Sequence, residues 1–153
     1  MKLQGFMLVM IFSAALHCCT PGHDASRTLD YGDDARAASE AWEALRGPLP
    51  VRCHNISDLV IVAELTTGEL ASVCPTAEPG IVVGCFLAPM PGVDTEPIIY
   101  IASDVDASLR SDSAIHEWVH ALAWCALGSS DSEHADASLW EPPGVWWEAI
   151  ARR

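Results

Sequence analysis

Between residues 116 and 134 the chain reads HEWVHALAWCALGSSDSEH. His116 and His120 stand four apart, Glu117 directly follows the first, and His134 comes fourteen residues after the second. On an α-helix, residues four apart share one face, so both imidazoles can offer a nitrogen to a single ion. The intervening glutamate projects at an angle to them, toward the position that such an ion leaves open to water. A carboxylate there can take a proton from that water, whose pKa the ion lowers, and hand it to a leaving amine. His116 and His120 are therefore predicted metal ligands, and Glu117 is the predicted general base.

Catalytic zinc ordinarily takes three protein ligands. Asp131, Glu133, His134, Asp136 and Glu141 follow the motif and are candidates for the third. The segment from His116 to Trp140 resembles small exported bacterial proteins of zincin type, which read HExxH, a helix end at glycine, an Asp-containing turn, then a histidine near an aromatic residue. That resemblance implies Zn2+ held by His116, His120 and His134, with Glu141 and Asp136 as alternatives to His134. It departs from the metzincin pattern, since His120 is followed by ALAWCA and not by a glycine and a closely spaced third histidine. It also lacks the second Glu-bearing helix of the thermolysin kind.

The activity implied is hydrolysis of peptide bonds in a peptide or protein substrate. Two rivals share the ligands: a non-catalytic zinc-binding lipoprotein, and a metal-dependent amidase of cell-wall peptides. A purely structural site needs no general base, so Glu117 favours an enzyme; a fourth protein ligand would favour a structural site. The resemblance further implies a strand beside the helix that pairs with extended substrate, a role expected for PIIYIAS, residues 97–103.

The elements that must position these groups are legible in outline. Ser111 or Asp112 can cap the motif helix and Gly128 can end it, while Ile115, Val119, Leu122 and Ala126 make one apolar stripe. Upstream, LVIVAEL (59–65), GIVVGCFLA (80–88) and PIIYIAS are rich in β-branched residues and bounded by turn formers, and read as strands. A short helix is expected over SEAWEALRG (39–47), with Ser39 as cap, Trp42 and Leu45 facing inward, and Gly47-Pro48 as the stop. EPPGVWWEAIARR is expected to end in a short helix, with Trp140, Trp146 and Trp147 closing the core under the metal. Tyr100 is expected to pack in the sheet and His54 to lie in a solvated loop. Strands followed by a helix-rich C-terminal part give an α+β class, in zincin-like form a short mixed sheet packed on the HExxH helix.

The N-terminus, MKLQGFMLVMIFSAALHCC, pairs a basic start at Lys2 with an apolar run from Phe6 to Leu16. The run is too short to span a bilayer and fits an export signal. Leu16 stands three before Cys19, as in bacterial lipoprotein signals, so residues 1–18 read as the signal and Cys19 as a lipidated anchor in the cell envelope. Ordinary cleavage and release is the alternative. Residues 19–38, which include His23, Asp24 and Tyr31, read as a tether, and residues 39–153 as the domain. Cys53, Cys74, Cys85 and Cys125 form an even set suited to two disulfides in an exported domain, with three possible pairings. Cys74 and Cys85 flank a short turn and could join neighbouring strands. With 8 Lys and Arg against 21 Asp and Glu, the net charge is -13. No basic cluster exists to neutralise phosphates, which argues against a nucleic-acid partner.

Overall fold

A computed structural model describes residues 31–74 and 82–153. The expected signal, Cys19, His23 and Asp24 lie outside the described residues. The elements run α1 (Gly32–Arg46), a 3-10 turn (Val51–Cys53), α2 (Ile56–Leu59), β1 (Ile61–Leu65), α3 (Thr67–Val73), β2 (Gly84–Leu87), β3 (Ile98–Ala102), α4 (Ala107–Leu127), α5 (Ala137–Trp140) and α6 (Val145–Arg152). The class is α+β with a mixed sheet. The strand order is β1-β3-β2, with β1 parallel and β2 antiparallel to β3.

Alternation along β3 decides which face meets the motif helix. Ile99 and Ile101 are fully buried in the same core as Ile115, Val119 and Leu122 of α4. Tyr100 points the other way, toward a smaller cluster with Leu70, Cys74 and Ala102. Burying each of those aliphatic side chains contributes about 1.5–3 kcal/mol, so α4 is seated firmly on the sheet. Ala126 at the end of the predicted stripe is only half-buried.

PIIYIAS is not an edge strand. β3 is flanked on both sides, and the edge nearest the motif helix belongs to β2. Strand order depends on long-range pairing, which local composition does not encode. The expected tether also ends early, because α1 begins at Gly32. Its run of alanines has the highest helix propensity, and Ala35, Ala38 and Ala41 are buried to 2%, 0% and 0% exposure in the core that α1 shares with α4 and α6. Small side chains that read as linker are what permits this close approach. Ser39 is accordingly no cap: its hydroxyl donates to the Ala35 carbonyl at 2.9 Å. Trp42 is buried as expected, whereas Leu45 is 45% exposed.

Tyr31, just before α1, is also part of the domain, and its hydroxyl donates to Glu64 at 2.6 Å. Burial, together with that bond to an acid, pushes its phenol well above the usual tyrosine range. The cap of α4 is Asp106, whose carboxylate accepts the Leu109 N–H at 2.9 Å. The helix thus starts more than a turn before Ser111. Gly128 ends it as predicted, in a left-handed conformation with φ 79°.

Two disulfides form, Cys53–Cys125 and Cys74–Cys85. The second joins the end of α3 to β2, so only one partner lies on a strand. The first ties the 3-10 turn to α4, where Arg52 also donates to the Cys125 carbonyl at 2.9 and 3.1 Å. Its half-cystines are 72 residues apart, and in the chain-entropy model closing a loop that long contributes about 4 kcal/mol. The double variant Cys53→Ala/Cys125→Ala is expected to lose about that much unfolding free energy. Urea titration would measure it, and a loss under about 1 kcal/mol would contradict the loop argument.

Candidate metal centre

α4 carries His116 and His120 on one face, and the loop after Gly128 folds back to bring His134 beside them. The three Nε2 atoms form a triangle with all three sides 3.1 Å. Nitrogens this close together could share one zinc ion at ordinary bond lengths of about 2.0–2.1 Å. These three residues could hold a metal ion. No other described His, Cys, Asp or Glu converges with them.

The protonation states suit ligation. The Nδ1 of His120 lies 2.6 Å from the Ser130 carbonyl oxygen, which can only accept, so Nδ1 carries the hydrogen and Nε2 keeps its lone pair free. Burial, reinforced by the neighbouring His120 and His134, lowers the pKa of His116 to about 3. Burial lowers that of His120 to about 4, against the raising effect of its bond to Ser130. Both are therefore neutral at pH 7, the form that binds metal. The Trp140 ring backs the triad, with centroid distances of 4.8, 4.3 and 4.4 Å to His116, His120 and His134. Trp146 adds an edge contact to His116 at 5.1 Å. Trp147, expected in the core, is 44% exposed and donates its indole N–H to the Trp140 carbonyl at 2.8 Å.

Glu117 is 5% exposed and lines the same cavity as the three histidines, a space of about 220 Å³ between α4, β2 and the loop after Gly128. The backbone N–H of Phe86 on β2 is directed at the Glu117 carboxylate. The pairing pattern explains why that N–H is available. Ala102 N–H bonds the Val83 carbonyl, and the register pairs Gly84 with Ile101 and Phe86 with Ile99. In an antiparallel ladder residues point alternately toward and away from the partner strand, so Gly84 and Phe86 direct their backbone groups to the free edge. Burial raises the Glu117 pKa to about 8, opposed by the Phe86 N–H. A carboxyl group perturbed in this way beside a cleft is typical of acid–base sites.

Gly84 makes the room for Glu117. A β-carbon at Gly84 would sit 3.1 Å from both Cγ and Oε1 of Glu117. The acids weighed as alternatives to His134 do not converge with His116 and His120, and Glu133 is exposed. Asp136 pairs with Arg46 at 2.5 Å and caps α5, accepting the Ser138 N–H at 3.0 Å. Glu141 borders a separate depression near Arg46 and Pro142. His54 is exposed, with Nε2 3.0 Å from the Leu49 carbonyl, and Tyr100 lies on the opposite sheet face. Sequence reasoning did not single out Gly84, Phe86, the Ser130 carbonyl or a structural role for Asp131. A glycine inside a strand pattern is a signal of close approach, so Gly84 could have been found; Phe86 depends on strand register, and the others on the fold of a loop.

No protein-family model matches the chain, and no curated protein or solved structure is significantly similar to it. Function must therefore be argued from the chemistry of the site.

Proposed function

We propose that this chain is an exported zinc-dependent peptidase, lipid-anchored at Cys19, in which His116, His120 and His134 hold the ion and Glu117 is the general base. The observation that carries the proposal is the convergence of three Nε2 atoms at 3.1 Å with the Glu117 carboxylate lining the same cavity. When bound, zinc supplies Lewis acidity, lowering the pKa of a water and polarising the scissile carbonyl. Glu117 takes the proton of the attacking water and delivers it to the departing amine. The absence of a side chain at Gly84 makes room for that carboxylate, and the Phe86 N–H faces it.

Extended substrate would add to the free edge of β2, where Gly84 N–H and C=O and the Phe86 C=O point outward. Such pairing recognises the main chain and leaves sequence preference to the flanking surface. A closed, structural zinc site would need a fourth protein ligand, and among the described residues no carboxylate joins the three histidines: Asp136 pairs with Arg46, and Glu141 borders a separate depression. Two disulfides favour an oxidising compartment, in keeping with export.

The test is zinc content and hydrolysis by the oxidised chain. About one zinc per chain, with cleavage of an unstructured peptide that a chelator abolishes and Zn2+ restores, is the expected result. A folded chain that takes up no zinc would sink the proposal. Cleavage of cell-wall peptides alone would move it to the amidase class. A dependent prediction concerns Gly84→Val. Its larger side chain must push Glu117 aside, and a misplacement near 1 Å costs about 100-fold in turnover. Steady-state kinetics should register that loss while zinc affinity stays unchanged.

A further inference from the structure

The loop from Ser129 to Asp136 carries two parts of the metal centre. The Ser130 carbonyl orients His120 at 2.6 Å, and His134 supplies the third imidazole. Yet the loop belongs to no helix or strand ladder. Two of its residues, Asp131 at φ 50° and His134 at φ 53°, occupy the left-handed region, which costs energy for a residue with a β-carbon. Something must hold that arrangement.

One residue does most of it. Oδ1 of Asp131 accepts the Ala135 N–H at 3.1 Å, and Oδ2 accepts the Asp136 N–H at 3.0 Å and the Trp140 indole N–H at 2.6 Å. Its backbone carbonyl accepts the His134 N–H at 2.9 Å. These four bonds close the chain from residue 131 to 136 into a ring that contains His134, and they anchor it to the indole that backs all three imidazoles. Asp131 also directly follows Ser130, whose carbonyl direction is set by the same turn.

We propose that Asp131 is the positioning residue of the metal centre: it presets His134 and the Ser130 carbonyl, so that the third ligand stands in place before an ion arrives. This rests on the reading of the three histidines as a metal site. Asp131 itself is not a ligand; it acts through the loop it closes.

The test compares the full chain with Asp131→Asn, Asp131→Gly and Trp140→Phe. Asparagine tolerates the left-handed conformation but has one acceptor oxygen, so it keeps at most two of the three side-chain bonds. Glycine suits the backbone and keeps none of them. Zn2+ affinity is read by competition with a chromophoric chelator, ligand geometry by the visible absorption of the Co2+-loaded chain, and folding by the melting temperature without metal. Asp131→Gly should bind Zn2+ about 10- to 100-fold more weakly, the range for outer-shell partners of metal ligands. Asp131→Asn and Trp140→Phe should fall between it and wild type. The Co2+ spectrum should change as His134 leaves the ion. A residue serving folding alone would lower the melting temperature and leave the affinity and spectrum of the still-folded chain unmoved. Wild-type affinity and an unchanged Co2+ spectrum in Asp131→Asn and Asp131→Gly would overturn the proposal, and if Asp131→Gly fails to fold, Asp131→Asn decides alone. A wild-type chain that binds neither metal would overturn the metal reading, and this proposal with it.

Discussion

Glu117→Gln is expected to keep its zinc and to lose peptide hydrolysis by roughly 10²- to 10⁴-fold, the range that a positioned general base supplies. Glutamine has the same shape and can still meet the Phe86 N–H through its amide oxygen. It also fits the space that Gly84 leaves open. What it cannot do is accept a proton from water, so the loss should appear in kcat with zinc content unchanged. A variant that retained a tenth or more of wild-type turnover would remove Glu117 from the base role. Loss of zinc together with activity would show instead that the carboxylate builds the site. A separate signature belongs to the metal-free chain. Because burial raises the Glu117 pKa from 4.5 to about 8, the folded state holds a proton there that the unfolded state releases. Stability from this group is therefore lost as pH rises across that window. Glu117→Gln should flatten that slope in urea titrations at successive pH values.

His134→Ala is expected to weaken zinc binding by more than about 100-fold, beyond the upper end for removal of an outer-shell partner. His116 and His120 remain one turn apart on α4 and can still offer two nitrogens, so weak uptake should persist. Rescue by a neighbouring acid is not expected, since Asp136 is held by Arg46 and Glu141 borders another depression. His116→Ala should cost at least as much, because His116 also packs on Trp140 and Trp146 at 4.8 and 5.1 Å. Chelator competition measures both. Undiminished affinity in His134→Ala would place the third ligand elsewhere and leave the triangle of nitrogens unexplained.

The parts of this protein that follow local rules were legible in its residues alone. Helical periodicity placed His116 and His120 on one face and set Ile115, Val119 and Leu122 against the sheet; left-handed Gly128 ended the helix; β-branched runs gave the three strands and the α+β class. Spacing and chemistry also named Glu117, and a resemblance named His134. The rest came from contacts between residues far apart in the chain. The strand order put β2 and not β3 at the edge beside the site, because pairing joins residues far apart in the chain. The alanines of α1, polar enough in company to read as tether, proved to be core once α4 and α6 were there to pack against. Four cysteines allowed three pairings, and the fold selected one. Whether a histidine fourteen residues downstream reaches the first two depended on a loop closed by a single carboxylate, and hydrogen bonds of that kind have no periodicity for a sequence to display.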